Sequence, residues 1–160
     1  MLHRPPRWLW VCSGNICRSP MGYALSALEA DHRDLSIALD SAGTLQIVGA
    51  PADPKALTVA AEIGADLSAH RSQALTVEKV AWADHILVMT DDHLAAVARL
   101  DPDAADRTIP VGRLIGRADI ADPHGSWFMA PYRRCRDDLV RVVDRLFASP
   151  IARPVRATDP

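Results

Sequence analysis

Short apolar runs alternate with helix-forming stretches along this chain, and that alternation limits the possible folds more than any other feature. Arg7–Val11 (RWLWV) is short and aromatic and suits a buried strand. A small polar loop, Ser13–Arg18, follows. Ser19-Pro20 then marks a helix start, with serine as the N-cap and proline in the first turn, where its missing N–H costs nothing. Met21, Leu25 and Leu28 recur at helical spacing. Leu35–Asp40 reads as a second strand, ending in Ser41-Ala42-Gly43-Thr44. Asp53-Pro54 repeats the cap-then-proline signal for a helix that stops at Gly64. The turn-rich DLSAHRSQ leads to a short helix over Val77–Ala81, and His85–Met89 (HILVM) is a third buried strand. Thr90-Asp91-Asp92 caps a helix running to Leu100, and Thr108–Val111 is a short fourth strand. A loop holding Asp122-Pro123 precedes a terminal helix from Tyr132 to Ala148. Strands separated by helices with short connections predict βαβ units. The expected fold is α/β: an open parallel sheet of about four strands, in three layers, with helices on both faces.

A length of 160 residues suits one domain, expected over residues 1–148. The last stretch, SPIARPVRATDP, has three prolines and no periodicity, so 149–160 is expected to be a mobile tail. Eighteen Lys and Arg against 20 Asp and Glu leave a net charge of −2, with no broad basic field for nucleic acid or an anionic membrane. Three cysteines, Cys12, Cys17 and Cys135, do not make a secreted disulfide framework and point to a reducing, cytoplasmic setting. The apolar run Trp8–Cys12 is too short for a signal-peptide core or a membrane span. No two histidines are spaced i, i+4 and there is no Cys-x-x-Cys, so neither a metal nor a cofactor is expected.

The chemistry concentrates in Cys12-Ser13-Gly14-Asn15-Ile16-Cys17-Arg18-Ser19. A cysteine closes the first strand and an arginine stands at a helix N-terminus, at the strand end where ligands gather in open parallel sheets. A loop of this kind aims successive backbone N–H groups inward as an anion nest, with Gly14 expected to supply the permissive backbone. The helix dipole adds positive potential, and Arg18 offers two parallel donors to a tetrahedral oxyanion. Such a field favours a thiolate over a thiol at Cys12. The loop Ser13–Arg18 therefore reads as a trap for a phosphate monoester, with the Cys12 sulfur as the attacking group.

VCSGNICRSP resembles the phosphate-binding loop of the low-molecular-weight protein tyrosine phosphatases, with its C-x5-R-S core near the N-terminus. The resemblance runs over about residues 8–147 and continues in SAGT (Ser41–Thr44), PADP (Pro51–Pro54), DLSAHRS (Asp66–Ser72), LVMT (Leu87–Thr90) and Asp122-Pro123. It implies a flavodoxin-like fold and a two-step, metal-free hydrolysis of phosphotyrosine in protein substrates. In that mechanism Cys12 forms a cysteinyl-phosphate, Arg18 and the loop amides hold the oxygens, and Asp122 protonates the leaving phenol and then activates water. The residues alone leave Asp53-Pro54 and Asp101-Pro102 as rivals to Asp122-Pro123; the resemblance selects Asp122. It also implies that Asn15, Ser19, Ser41 and His70 brace the loop, and that Cys17 forms a reversible disulfide with Cys12 under oxidation. Cys135, in the terminal helix, reads as core.

Two departures bear on the substrate. The family's aromatic wall after Asp-Pro is replaced by His124-Gly125, leaving Trp127 or Phe128 to wall the cleft or anchor the loop. A cleft tryptophan after SAGT is replaced by Gln46-Ile47-Val48. Protein arginine phosphatases share the loop and resemble this chain over Tyr132–Leu139, but carry a threonine where Ile16 stands; a bulky aliphatic side chain there favours an aryl leaving group. Arsenate reductases of similar fold need further cysteines, and none lies between Cys17 and Cys135.

Overall fold

The structure is a computed structural model and describes residues 2–157. The strands are β1 (His3–Arg4), β2 (Arg7–Cys12), β3 (Ala38–Gly43), β4 (His85–Val88), β5 (Thr108–Pro110) and β6 (Val155–Arg156). The α-helices are α1 (Arg18–His32), α2 (Pro54–Ala61), α3 (Val77–Trp82), α4 (Asp91–Leu100) and α5 (Ala130–Phe147). Short 3₁₀ segments cover Pro102–Arg107, Val111–Ile115 and Pro150–Ala152.

The main sheet has the order β3-β2-β4-β5 and is parallel throughout. It is the expected flavodoxin-like α/β sheet. The chain steps outward from β2 to β3, then returns past β2 to β4 and β5. The strand order thus reverses between β2 and β4, and the crevice at their carboxyl ends is where such sheets bind ligands.

The period of two along β2 sends its side chains into two cores. Trp8 and Trp10 face α1, α2 and α5, among Met21, Leu25, Val59, Leu139 and Leu146. Leu9 and Val11 face α3 and α4, among Val80, Ile86, Val88 and Val97. A Cβ on Gly22 would lie 2.5 Å from the Trp10 ring, so glycine is what lets α1 rest on that tryptophan. The Trp10 indole N–H donates to Ser26 Oγ at 3.1 Å, and Trp8 meets Phe147 edge-on with centroids 5.1 Å apart. Truncating either tryptophan to alanine would cost ~3–5 kcal/mol.

Three expectations need correction. The second main-sheet strand begins at Ala38 rather than Leu35 and includes Ser41–Gly43, which pair with Trp10–Cys12. These small and polar residues carry no apolar alternation, and the ladder to β2 makes the strand. The first helix begins at Arg18 with Cys17 at the N-cap, not at Ser19, whose hydroxyl is drawn elsewhere. The tail expected to be mobile is hydrogen-bonded to the rest of the chain as far as Ala157, whose N–H donates to Leu2 O at 3.0 Å. Ile151 O accepts the Trp8 indole N–H at 3.2 Å, and β6 pairs antiparallel with β1, His3 opposite Arg156. Arg4 in turn forks onto Asp84 at 2.6 and 2.7 Å. Residues 158–160 lie outside the described residues.

Candidate active site

Cys12 closes β2 opposite Gly43, the last residue of β3. A Cβ on Gly43 would stand 2.6 Å from Ser13 O, so the strand's final glycine is what allows the loop to fold back over it. Thr44 N–H and Leu45 N–H then donate to Cys12 O and Ser13 O at 3.0 and 2.9 Å. These contacts explain why a small-residue SAGT segment accompanies the loop.

The loop's left-handed residue is Asn15, with φ of 55°; Gly14, expected to provide that freedom, does not use it. Asparagine tolerates this region better than most side chains, and here it is also a brace. Fully buried, it donates from Nδ2 to Ser19 Oγ at 2.7 Å and accepts Gln73 N–H on Oδ1 at 2.8 Å. Its carbonyl accepts His70 Nε2–H at 2.6 Å. Burial holds the His70 ring below its ordinary range, so a neutral ring makes that bond. Ser19 Oγ lies 2.9 Å from Cys12 Sγ. One of its lone pairs takes the Asn15 amide, which leaves its proton free to turn to sulfur, a bond that a thiolate accepts better than a thiol.

With these braces in place, the backbone N–H groups of Gly14–Arg18 donate to no other group among the described residues. Arg18 is buried. Nη1 donates to Ile120 O at 2.9 Å, while Nη2 lies 3.4 Å from both Ser13 Oγ and Asp122 Oδ2. One arm of the fork is anchored and the other is held only by long contacts. Asp122 accepts His124 N–H on Oδ1 at 3.0 Å. A cleft of about 120 Å³ is lined by Cys12, Ser13, Gly14, Ile16, Cys17, Arg18, Leu45, Ile47, Asp122 and His124. Of the Asp-Pro pairs at Asp53, Asp101 and Asp122, only the last lines it. Asp101 caps the 3₁₀ turn at Pro102, and Asp53 caps α2.

Residues 7–156 match the family of low molecular weight phosphotyrosine protein phosphatases. The chain belongs to this family. It is 38% identical over 145 residues to a protein-arginine-phosphatase of Geobacillus stearothermophilus, covering 89% of this chain and 94% of that one. It is 37% identical over 116 residues to the low molecular weight protein-tyrosine-phosphatase Etp of Escherichia coli K12, covering 72% and 76%. The crystal structure of the Erwinia amylovora tyrosine phosphatase AmsI superposes with a TM-score of 0.83 at 32% identity, covering 91% and 93%.

Within this phosphatase framework some residues depart from expectation. Ser41 lies on β3 and, among the described residues, its hydroxyl makes no hydrogen bond to the loop; the nearby brace is Gln73. Trp127 and Phe128 neither line the cleft nor anchor the loop, being 91% and 74% exposed. His124 takes the wall position instead. Its Nδ1 donates to Asp53 Oδ2 at 2.9 Å, as does Tyr132 OH. Burial works against ionised Asp53, but His124, Tyr132 and the Lys55 and Ala56 amides outweigh it and hold the carboxyl below its usual range. Asp53 thus ties the start of α2 to the acid loop and α5, a role that its sequence signal as a helix cap does not reveal. Cys12, Cys17 and Cys135 are free thiols. Burial pushes Cys17 up, and Cys135 up to about 12. His93, read from sequence only as part of a capped helix, reaches Ser13 Oγ with Nε2 at 2.9 Å.

Proposed function

We propose that this protein hydrolyses phosphotyrosine in protein substrates, through a cysteinyl-phosphate on Cys12. The observation that carries this reading is the row of N–H groups from Gly14 to Arg18, unpaired among the described residues, around a cleft that also holds the Cys12 sulfur and the Asp122 carboxyl. The Cys12 thiolate attacks phosphorus as the bond to the phenol oxygen breaks, and Asp122 gives its proton to that oxygen. The loop amides and the free arm of Arg18 hold the equatorial oxygens, whose charge they match best in the transition state. Water then attacks phosphorus and gives a proton to the Asp122 carboxylate. The S–P bond breaks, and the Ser19 O–H supports the departing sulfur. Each step uses groups of this chain alone. Three free thiols suit action in the reducing cytoplasm.

The walls favour an aryl group. Ile16, Leu45 and Ile47 present aliphatic surface to the cleft, which accepts a phenyl ring, and Asp122 is the one carboxylate on its lining. A second reading, phosphoarginine hydrolysis, draws support from the 38% identity to the Geobacillus arginine phosphatase. One experiment tests both. Phosphotyrosine and phosphoarginine peptides are compared side by side, with Cys12→Ser as control and rapid acid quench to trap the phosphoenzyme. Turnover of phosphotyrosine with a trapped phosphocysteine is expected. Turnover of phosphoarginine alone would overturn the substrate assignment, and full activity in Cys12→Ser would overturn the mechanism.

A further inference from the structure

His93 is the third residue of α4, at the carboxyl end of β4, so it faces the phosphate loop across the crevice where the strand order reverses. It is only 3% exposed. Nε2 lies 2.9 Å from Ser13 Oγ, while Nδ1 is buried with no hydrogen-bond partner among the described residues. The proton must sit on one of the two. A buried N–H without an acceptor is rarer and costlier than a buried lone pair without a donor. The proton therefore belongs on Nε2, and His93 donates to Ser13.

Proton counting at Ser13 then becomes informative. Its hydroxyl has two lone pairs and one proton. His93 Nε2–H addresses one lone pair, and Arg18 Nη2, which can only donate, lies 3.4 Å from the same oxygen. The Ser13 proton must go elsewhere, and Ser13 lines the cleft. The ring stays neutral while it does this. Burial, then the Arg18 charge, push His93 down to about 4 against the opposing pull of Asp92, Asp122 and Asp119.

We propose that His93 is a positioning residue for phosphate capture: it orients the Ser13 hydroxyl so that its proton becomes an additional donor to the bound phosphoryl group beside the free arm of Arg18. This rests on the phosphatase reading and extends it to a side chain that touches no substrate. Ser13 and His93 are therefore one unit, and losing either disables the same donor.

The test measures kcat and KM for p-nitrophenyl phosphate, and competitive inhibition by inorganic phosphate, in His93→Phe, His93→Gln, Ser13→Ala and the double variant Ser13→Ala/His93→Phe. His93→Phe and Ser13→Ala should each raise KM and the phosphate inhibition constant about tenfold, the effect of one lost hydrogen bond to a charged ligand, with kcat much less changed. His93→Gln, whose amide can donate at the same place, should recover most of that loss, and the double variant should be no worse than Ser13→Ala alone. Unchanged phosphate inhibition in Ser13→Ala overturns the proposal, as do losses that multiply in the double variant. A folded His93→Gln that behaves like His93→Phe overturns it too. If His93→Phe fails to give a cooperative melt, Ser13→Ala and His93→Gln decide the matter by themselves. A wild-type protein that neither turns over p-nitrophenyl phosphate nor binds phosphate would instead strike at the phosphatase reading.

Discussion

The phosphate loop and the acid loop meet at one cleft but are held in opposite ways. Asn15, Ser19 and Arg18 are buried, and each side chain is tied by hydrogen bonds to other parts of the chain. Asp122 has a side chain 45% exposed, its contact to Arg18 is 3.4 Å long, and five residues later Trp127 stands in solvent. The difference separates two tasks. Holding five amides around an anion requires a rigid frame, because charge stabilisation depends on donors that need no rearrangement. Delivering a proton to varied leaving groups needs access, and a solvated loop provides it. Stability and chemistry are therefore coupled in the first loop and uncoupled in the second.

The contrast can be broken most sharply at Asp122. Asp122→Asn should slow hydrolysis ~10²–10⁴-fold for poorly activated aryl phosphates, and far less for p-nitrophenyl phosphate, with an unchanged melting temperature. A leaving-group series checks this, and equal slowing across the series would remove Asp122 as the acid. The buried side shows itself next, in the pH dependence of stability. His93 titrates at about 4 in the folded protein, and from about 6.5 in an unfolded chain, which therefore takes up the proton first as pH falls. Stability is at its full value above about pH 6.5 and should decline by up to ~3 kcal/mol on the way to pH 4. His70 and His85, both held low by burial, act in the same direction. Urea titrations at pH 7 and pH 4.5 measure the loss, and His93→Gln should flatten it in part.

Asn15→Ala should lower both quantities together: ~10–100-fold in activity and ~1–3 kcal/mol in stability, because Ser19 Oγ and Gln73 N–H lose their partner. Activity and denaturation of one preparation check the coupling, and a loss of activity alone would place Asn15 with the acid loop in kind. The smallest effect is expected at Trp127→Ser, within ~0.5 kcal/mol of wild type by denaturation. A larger change would mean that the tryptophan packs against something.

Much of this was legible from the residues. The βαβ alternation, the cap-then-proline start of α2 at Asp53 and the buried β4 all come from local periodicity and turn chemistry. The loop was legible because Cys12, Arg18 and a helix N-terminus have one physical meaning at that spacing. What escaped depends on contacts distant in sequence. Ser19 looked like an N-cap, and only the fold brings Cys12 Sγ and Asn15 Nδ2 to its hydroxyl. Gly14 looked like the flexible point, but the bond network puts the left-handed turn on Asn15. β6 has only two residues, and it pairs because the Trp8 indole and the Arg4–Asp84 fork fix its surroundings. His93 gave one faint signal: it follows the strand that adjoins β2 across the ligand crevice.

The β1–β6 pairing reaches beyond stability. It sits at the amino ends of the parallel strands, the pole opposite the cleft, and makes residues 3–4 and 155–156 neighbours. A short linker across that junction would allow the backbone to be reopened at an exposed turn elsewhere, giving a circular permutant with the same phosphate cup. A reporter domain fused at this pole would likewise stand clear of incoming phosphoproteins.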